Sequence, residues 1–317
     1  MKRFISLVFR FLMLLVLLSS CSKTNNQTKG NSKDKISIIT TIFAPYDFVR
    51  EIGGDKVNVT MLLPPASESH SFEPTPKDII KIQNCNLFIY IGGESDKWVD
   101  KIVSSIDNNK VKIVTLMDCV DVVEEELVEG MQEEVEEESG EIAYDEHVWT
   151  SPKNAKLIVK KIADTLCEID EKNASYYKKN SDDYIAKLDE LDASFQKVVD
   201  EGVRKTIIFG DRFPFRYFAN TYGLSYFAAF PGCSTETEPS ATTITFLIDK
   251  IKEEKIPVVF HIELSNKKMA DTISEETGAK VLLFHACHNI SKDDFKKGKS
   301  YLDLMRQNVE NLREALL

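Results

Sequence analysis

Lys35-Ile36-Ser37-Ile38-Ile39-Thr40-Thr41-Ile42, then Asp47-Phe48-Val49-Arg50-Glu51-Ile52-Gly53-Gly54, then Val57-Asn58-Val59-Thr60-Met61-Leu62-Leu63-Pro64-Pro65: these three successive stretches decide the fold. The first is a short β-branched run of the kind that forms a buried strand. The second is helical in pattern and stops at paired glycines, which tolerate the left-handed backbone that ends a helix. The third is again strand-like and is halted by two prolines, which cannot continue a ladder. Strand, helix and strand in succession predict a βαβ unit, and hence a parallel sheet.

The alternation continues toward the C-terminus. A helix over 75–83, with Pro76 suited to its first turn, leads to the apolar run 87–91. Residues 98–106 read as a helix and 111–116 as a strand. From residue 153 to about 199 the pattern is helical, with a break at 170–173. Its second piece carries Tyr177, Tyr184, Leu188, Leu191, Phe195 and Val198 at spacings of three, four and seven, so one side of it is packed. At 1.5 Å per residue such a helix is about 39 Å long, enough to join two domains. Beyond it, 206–209, 257–262 and 281–284 read as strands, and 215–222, 240–253, 266–277 and 301–315 as helices. The expected fold class is α/β, with two Rossmann-like lobes, each a mainly parallel sheet flanked by helices, joined by one long helix. The expected boundaries are 36–172 for the N-terminal lobe, 173–202 for the linking helix and 203–317 for the C-terminal lobe. Ligands of such sheets bind at the carboxyl ends of the strands.

The chain has 317 residues, enough for two cores of ordinary size. Forty Lys+Arg against 51 Asp+Glu give a net charge of -11, which argues against nucleic acid as a partner, because that recognition neutralises phosphate with basic groups. The acid is concentrated: 13 of the 26 residues over 121–146 are Asp or Glu, and none is Lys or Arg. Such a density predicts a solvated, mobile insertion able to attract divalent cations. Without these acids and without Lys2, Arg3 and Arg10 of the leader, 37 basic residues face 38 acidic ones, so the lobes are nearly neutral.

Those three basic residues lead or interrupt an apolar run over 4–18, shorter than the roughly 20 residues that span a bilayer. Residues 1–20 therefore read as a secretory signal rather than a permanent anchor. The run ends in Leu18-Ser19-Ser20-Cys21, which resembles a bacterial lipoprotein box. That resemblance implies acylation of Cys21, a polar tether over 21–35, and a body held in water at the extracytoplasmic face of a cell membrane. Buried acyl chains contribute about 0.8 kcal/mol per CH2 to such anchoring.

There are five histidines, His70, His147, His261, His285 and His288. A single His more often packs than ligates, but His70, His147 and His285 follow a strand or precede a helix, where a cleft between lobes would lie. Imidazole suits zinc, and tetrahedral zinc takes several His with a carboxylate. His261 lies inside a strand and reads as packing. His288 belongs to His285-Ala286-Cys287-His288, a spacing that does not aim both rings at one atom outside a helix. Cys233 and Cys287 fall in loops of the C-terminal half, where a disulfide, free thiols or a soft metal contact are open. Cys85, Cys119 and Cys167 adjoin predicted elements and read as small core residues.

Two motifs carry a wider resemblance, Asp145-Glu146-His147-Val148-Trp149-Thr150-Ser151-Pro152 and His70-Ser71-Phe72-Glu73-Pro74-Thr75-Pro76-Lys77-Asp78. With Tyr222-Gly223-Leu224, Glu238-Pro239-Ser240 and Glu275-Glu276-Thr277-Gly278-Ala279, they make the chain from about residue 35 onward similar to the zinc- and manganese-binding substrate-binding proteins of ABC transporters, a group that includes adhesin-like lipoproteins. The resemblance implies His70 and His147 as ligands from the N-terminal half, and a long helix that limits lobe motion. It departs at two places. Where the family usually has a third His stands Arg212, which has no lone pair to offer. Where the family has a final Asp or Glu stands His285. The expected metal ligands are therefore His70, His147 and His285, with the fourth group open between Asp211, Glu263 and water. Arg212 is then expected as a salt-bridge partner of Asp211 or of another acid.

The function this implies is a lipid-tethered, non-enzymatic monomer that captures Zn(II), or else Mn(II), and delivers it to the permease of an ABC transporter. Three neutral imidazoles favour Zn(II), since Mn(II) prefers oxygen. A zinc-dependent hydrolase, with Glu263 or Asp211 as base, is the alternative from another class, but the chain has neither His-Glu-x-x-His nor a nucleophile elbow. A surface adhesin for cell adhesion is compatible with the same tethered body.

Overall fold

The computed structural model describes residues 35–68, 72–106, 110–131, 143–234 and 239–317. Cys21, His70 and Glu238 lie outside them. Among the described residues the N-terminal half runs β1 (Ile36–Thr40), α1 (Phe43–Gly53), β2 (Val57–Met61), α2 (Pro76–Gln83), β3 (Leu87–Tyr90), α3 (Lys97–Val103) and β4 (Lys112–Thr115). Its four strands are all parallel, in the order β2-β1-β3-β4. Two helices follow, α4 (Pro152–Ile169) and α5 (Ala174–Glu201).

The C-terminal half runs β5 (Thr206–Phe213), α6 (Arg216–Tyr222), β6 (Ser225–Pro231), α7 (Ala241–Glu254), β7 (Val258–His261), α8 (Lys268–Thr277), β8 (Lys280–Leu283), α9 (Lys292–Lys296) and α10 (Tyr301–Leu316). Its sheet repeats the plan of the first, parallel in the order β6-β5-β7-β8. The expected two-lobe α/β architecture is the observed one.

Alternation along the strands divides the core. Ile36 and Ile38 of β1 face the main cluster with α1, α4 and α5, whereas Ile39 faces Ile82 of α2 and Val99 of α3. In β5, Ile207 and Phe209 join the main cluster while Ile208 packs with Leu247 of α7 and Ile273 of α8. A period of two thus buries both faces of each sheet, as helices on both sides require. The predicted stripe on α5 is buried along its length, and the helix packs against α1, α4 and α10. Its 28 residues make a rod about 42 Å long.

Two local features were not anticipated. The edge strand β6, Ser225-Tyr226-Phe227-Ala228-Ala229-Phe230-Pro231, is interrupted by two alanines of low strand propensity and owes its form to pairing with β5. In addition, β5 continues past Phe209, through an irregularity in register between Phe209 and Arg212. Gly210 permits this: a Cβ there would lie 2.7 Å from Ala270 Cα of α8. The break re-aims Asp211 and Arg212, as bulges do at the rims of sheets.

The acidic segment corrects an expectation. Its described ends are not a free solvated loop but a short antiparallel strap, with Glu124 bridged to Tyr144 and Asp145 N–H donating to Val123 O (3.0 Å). The strap is docked on the C-terminal lobe. Tyr217 O–H donates to Asp145 O (2.8 Å), Arg216 pairs with Glu126 (2.7 Å), and Cys233 N–H donates to Glu125 Oε1 (3.3 Å). The unexpected cause is a set of matched partners on α6, β6 and the loop after β6, which offset the repulsion among the acids.

Candidate metal centre between the lobes

His147 stands at the return end of that strap, just before a single 3-10 turn over Val148–Thr150. Thr150 closes the turn through its backbone N–H and its hydroxyl, both donated to His147 O. The side chain is fixed by Asp145, whose Oδ1 accepts from His147 N–H (2.7 Å) and lies 3.0 Å from ring Nδ1. With Nδ1–H held by the carboxylate, Nε2 is the nitrogen left for a metal, the arrangement that orients ligand imidazoles generally. The ring is fully buried, and Gly232 makes room for it: a Cβ there would lie 2.9 Å from its Cε1. Burial pushes the imidazole pKa down, but Asp145, Glu146 and Glu125 together outweigh it and hold the pKa above the ordinary value. Glu146 and Glu125 are themselves raised, chiefly by burial.

From the other lobe comes the segment after β8. His288 packs its ring perpendicular to that of His147, centroids 4.5 Å apart, and Trp149 closes the group at 4.8 Å from His288. Glu263, just past the end of β7, shapes this segment: Oε2 accepts from Ala286 N–H (2.7 Å) and Oε1 from His288 N–H (3.0 Å). Cys287 between them adopts a left-handed backbone (φ 60°), rare for a residue with a Cβ, and this turn carries His288 toward the N-terminal lobe. There Phe43 N–H donates to His288 O (2.9 Å), and Asn289 Nδ2 donates to Pro64 O and Ser67 O. Trp149 Nε1–H donates to Ala286 O, and Tyr301 O–H donates to Trp149 O, each at 2.7 Å.

The other expected residues are placed as follows. His285 is buried, but its Nδ1 accepts the Cys287 N–H (3.0 Å), and the charges around it are Glu263, Asp294 and Lys299 rather than those around His147. Burial lowers its pKa. Asp211 directs its oxygens to the backbone N–H groups of Arg212 (2.9 Å) and Ile262 (3.1 Å). Glu263 has both oxygens on amides, as described. Arg212 does pair with another acid, Glu68 (3.2 Å), across the lobes. His261 is half-buried with Nδ1–H donated to Ile262 O, a packing role. Of the alternatives left open for Cys233 and Cys287, the structure has free thiols and no disulfide between them. The reason is position: Cys287 is buried near Asp47, Tyr184 and Tyr301, whereas Cys233 lies among Glu125, Asp145 and Glu146. Cys85 is buried, and Cys119 and Cys167 pack against the main core.

Among the described residues no three His, Cys, Asp or Glu side chains stand together as a metal cage. His147 and His288 are in ring contact between the lobes, and Glu68, two residues before His70 in sequence, touches Arg212 across the cleft.

Residues 38–315 match the family model for zinc-uptake complex component A, periplasmic. The chain belongs to this family. It is 34% identical over 308 residues to the high-affinity zinc uptake system protein ZnuA of Bacillus subtilis, covering 95% of this chain and 94% of that one. It is 31% identical over 315 residues to the zinc-binding lipoprotein AdcA of Streptococcus pneumoniae, where it spans 98% of its own length but only 60% of the relative's. Among solved structures, the Zn(II)-bound ZnuA-like domain of Streptococcus pneumoniae AdcA superposes with a TM-score of 0.74 at 29% identity, over 89% of this chain and 99% of that one.

Proposed function

We propose that the protein captures Zn(II) between its lobes and hands it to the permease of an ABC transporter, as a carrier and not an enzyme. The observation that carries this reading is the buried, perpendicular pair of His147 and His288, one from each side of the cleft. Two neutral imidazoles, with His70 as the third, make a nitrogen-rich set that suits zinc better than manganese. Family membership supports the same cargo. The ligand set we infer is His70, His147 and His288, and the Cys287 N–H on His285 Nδ1 supports leaving His285 out of it. Among the described residues no helix is long and apolar enough to cross a membrane. Attachment would rest on Cys21, in keeping with relatives described as lipoproteins.

Elemental analysis with competitive Zn/Mn titration of the wild type, His288→Ala and His285→Ala tests both parts. One Zn per chain, bound more tightly than Mn and weakened far more by His288→Ala than by His285→Ala, is the expected result. The reverse order of the two variants would return His285 to the site. Loss of any preference for Zn would overturn the cargo.

A further inference from the structure

Arg212 and Glu68 face each other from opposite lobes across a pocket that His288 also lines. The two groups line that pocket together with Ser67, Gly232, Glu263 and Leu264. The guanidinium is well placed and constrained. The break in β5 aims it into the cleft, Asp211 Oδ1 accepts its backbone N–H, and Nη1 donates to Ser234 O (3.2 Å) as well as to Glu68 Oε1 (3.4 Å), while Nη2 donates to Glu68 Oε2 (3.2 Å). This is a two-pronged contact, the geometry in which a guanidinium holds a carboxylate best. Arg212 is largely buried, with 13% of its side chain exposed, whereas Glu68 is 45% exposed. Of the two partners, Arg212 is the more enclosed and Glu68 the more open to solvent.

We propose that the Arg212–Glu68 pair is a gate on the cation path, which must part for zinc to leave the cleft. This inference rests on zinc being the cargo. The chemistry follows from the two charges. A guanidinium cannot ligate the ion and repels it unless neutralised, and Glu68 provides that neutralisation while tying the two lips of the cleft together. A cation that leaves His288 through this pocket passes between groups that include the pair. When the pair parts, Glu68 is an anionic group that can accompany the ion outward, while Arg212 stays with the C-terminal lobe. The residue found in place of a third ligand His thus acts on the rate of exchange rather than on coordination.

The test is zinc release from the loaded full-length protein to an excess of a chromogenic chelator, followed by stopped flow. The proteins are the wild type, Glu68→Arg, Arg212→Glu and the double swap carrying both. Each single variant sets like charges against each other and is expected to release zinc about two- to fivefold faster, the range set by partly exposed ion pairs. The double swap, which restores the attraction with its sense reversed, is expected to return toward the wild-type rate. Unchanged rates in the single variants, or a double swap as fast as the singles, would overturn the gate while leaving zinc as cargo. A wild type that binds no zinc would overturn the cargo itself, and the gate with it. Rescue by the swap separates a gate from a fold simply loosened by substitution.

Discussion

The imidazole rings of His147 and His288 meet edge to face at a centroid distance of 4.5 Å, each delivered by a segment that leaves its own lobe. His147 sits on a strap docked on α6, and His288 on a turn docked at the start of α1. The pair is therefore built by the contact between lobes, and a metal held there depends on residues that never touch it.

Asp145 is one such residue. Its carboxylate fixes the tautomer of His147, so Asp145→Asn should leave the fold intact and weaken zinc binding about 10- to 100-fold. A competition titration measures this. Affinity within a factor of two of the wild type would show that Asp145 serves only the strap.

Acid should weaken binding. Each ligand imidazole must be deprotonated to bind, and the carboxylates around His147 hold its pKa above the ordinary value near 6.5 despite burial. Proton competition thus begins above pH 6.5, and zinc affinity at pH 5.5 should be at least about tenfold lower than at pH 7.5. Equal affinities at the two pH values would remove imidazole from the site.

Tyr301→Phe should loosen the seam between lobes. The hydroxyl satisfies Trp149 O inside the core, so its removal should cost about 1–3 kcal/mol of stability in chemical unfolding. A loss below about 0.5 kcal/mol would mean that the carbonyl finds another donor.

The metal-free protein should lose stability as pH rises toward neutrality. Burial raises the Asp96 carboxyl to about 7, even though its Oδ2 accepts the Ile91 and Gly92 N–H groups. A folded pKa above the unfolded one favours the folded state below about pH 4, and that advantage disappears as pH rises through 7. The contribution is at most roughly 4 kcal/mol at 1.36 kcal/mol per unit. Asp96→Asn keeps an acceptor for both amides, and its melting temperature should vary less between pH 5 and 8 than that of the wild type. Identical slopes would show that Asp96 does not carry the effect.

How much was legible in the sequence depended on whether the cause was local. The β-branched run over 36–42 and the stripe from Tyr177 to Val198 are periodic signals that one-dimensional reading detects, and both lobes follow from them. The edge strand β6 depended on a neighbour, and its two alanines gave no propensity to read. His147 was found through its motif. The contact of His288 with His147 was not legible, because it comes from a left-handed turn at Cys287, a conformation that a cysteine does not advertise. The docking of the strap's described ends was not legible, because charge density is visible in sequence whereas the partners Tyr217, Arg216 and Cys233 lie far along the chain.

Two sheets with the same strand order invite a picture of two independent modules. The crossed segments contradict it. The C-terminal part of the chain supplies the residues that line the start of α1, and the N-terminal part supplies the strap that covers α6, so each half wears a piece of the other. A chain divided at α5 would yield two fragments that each expose a bare, partly apolar dock, soluble and ordered only when recombined. Docking of the two halves and meeting of the His147 and His288 rings are then a single event.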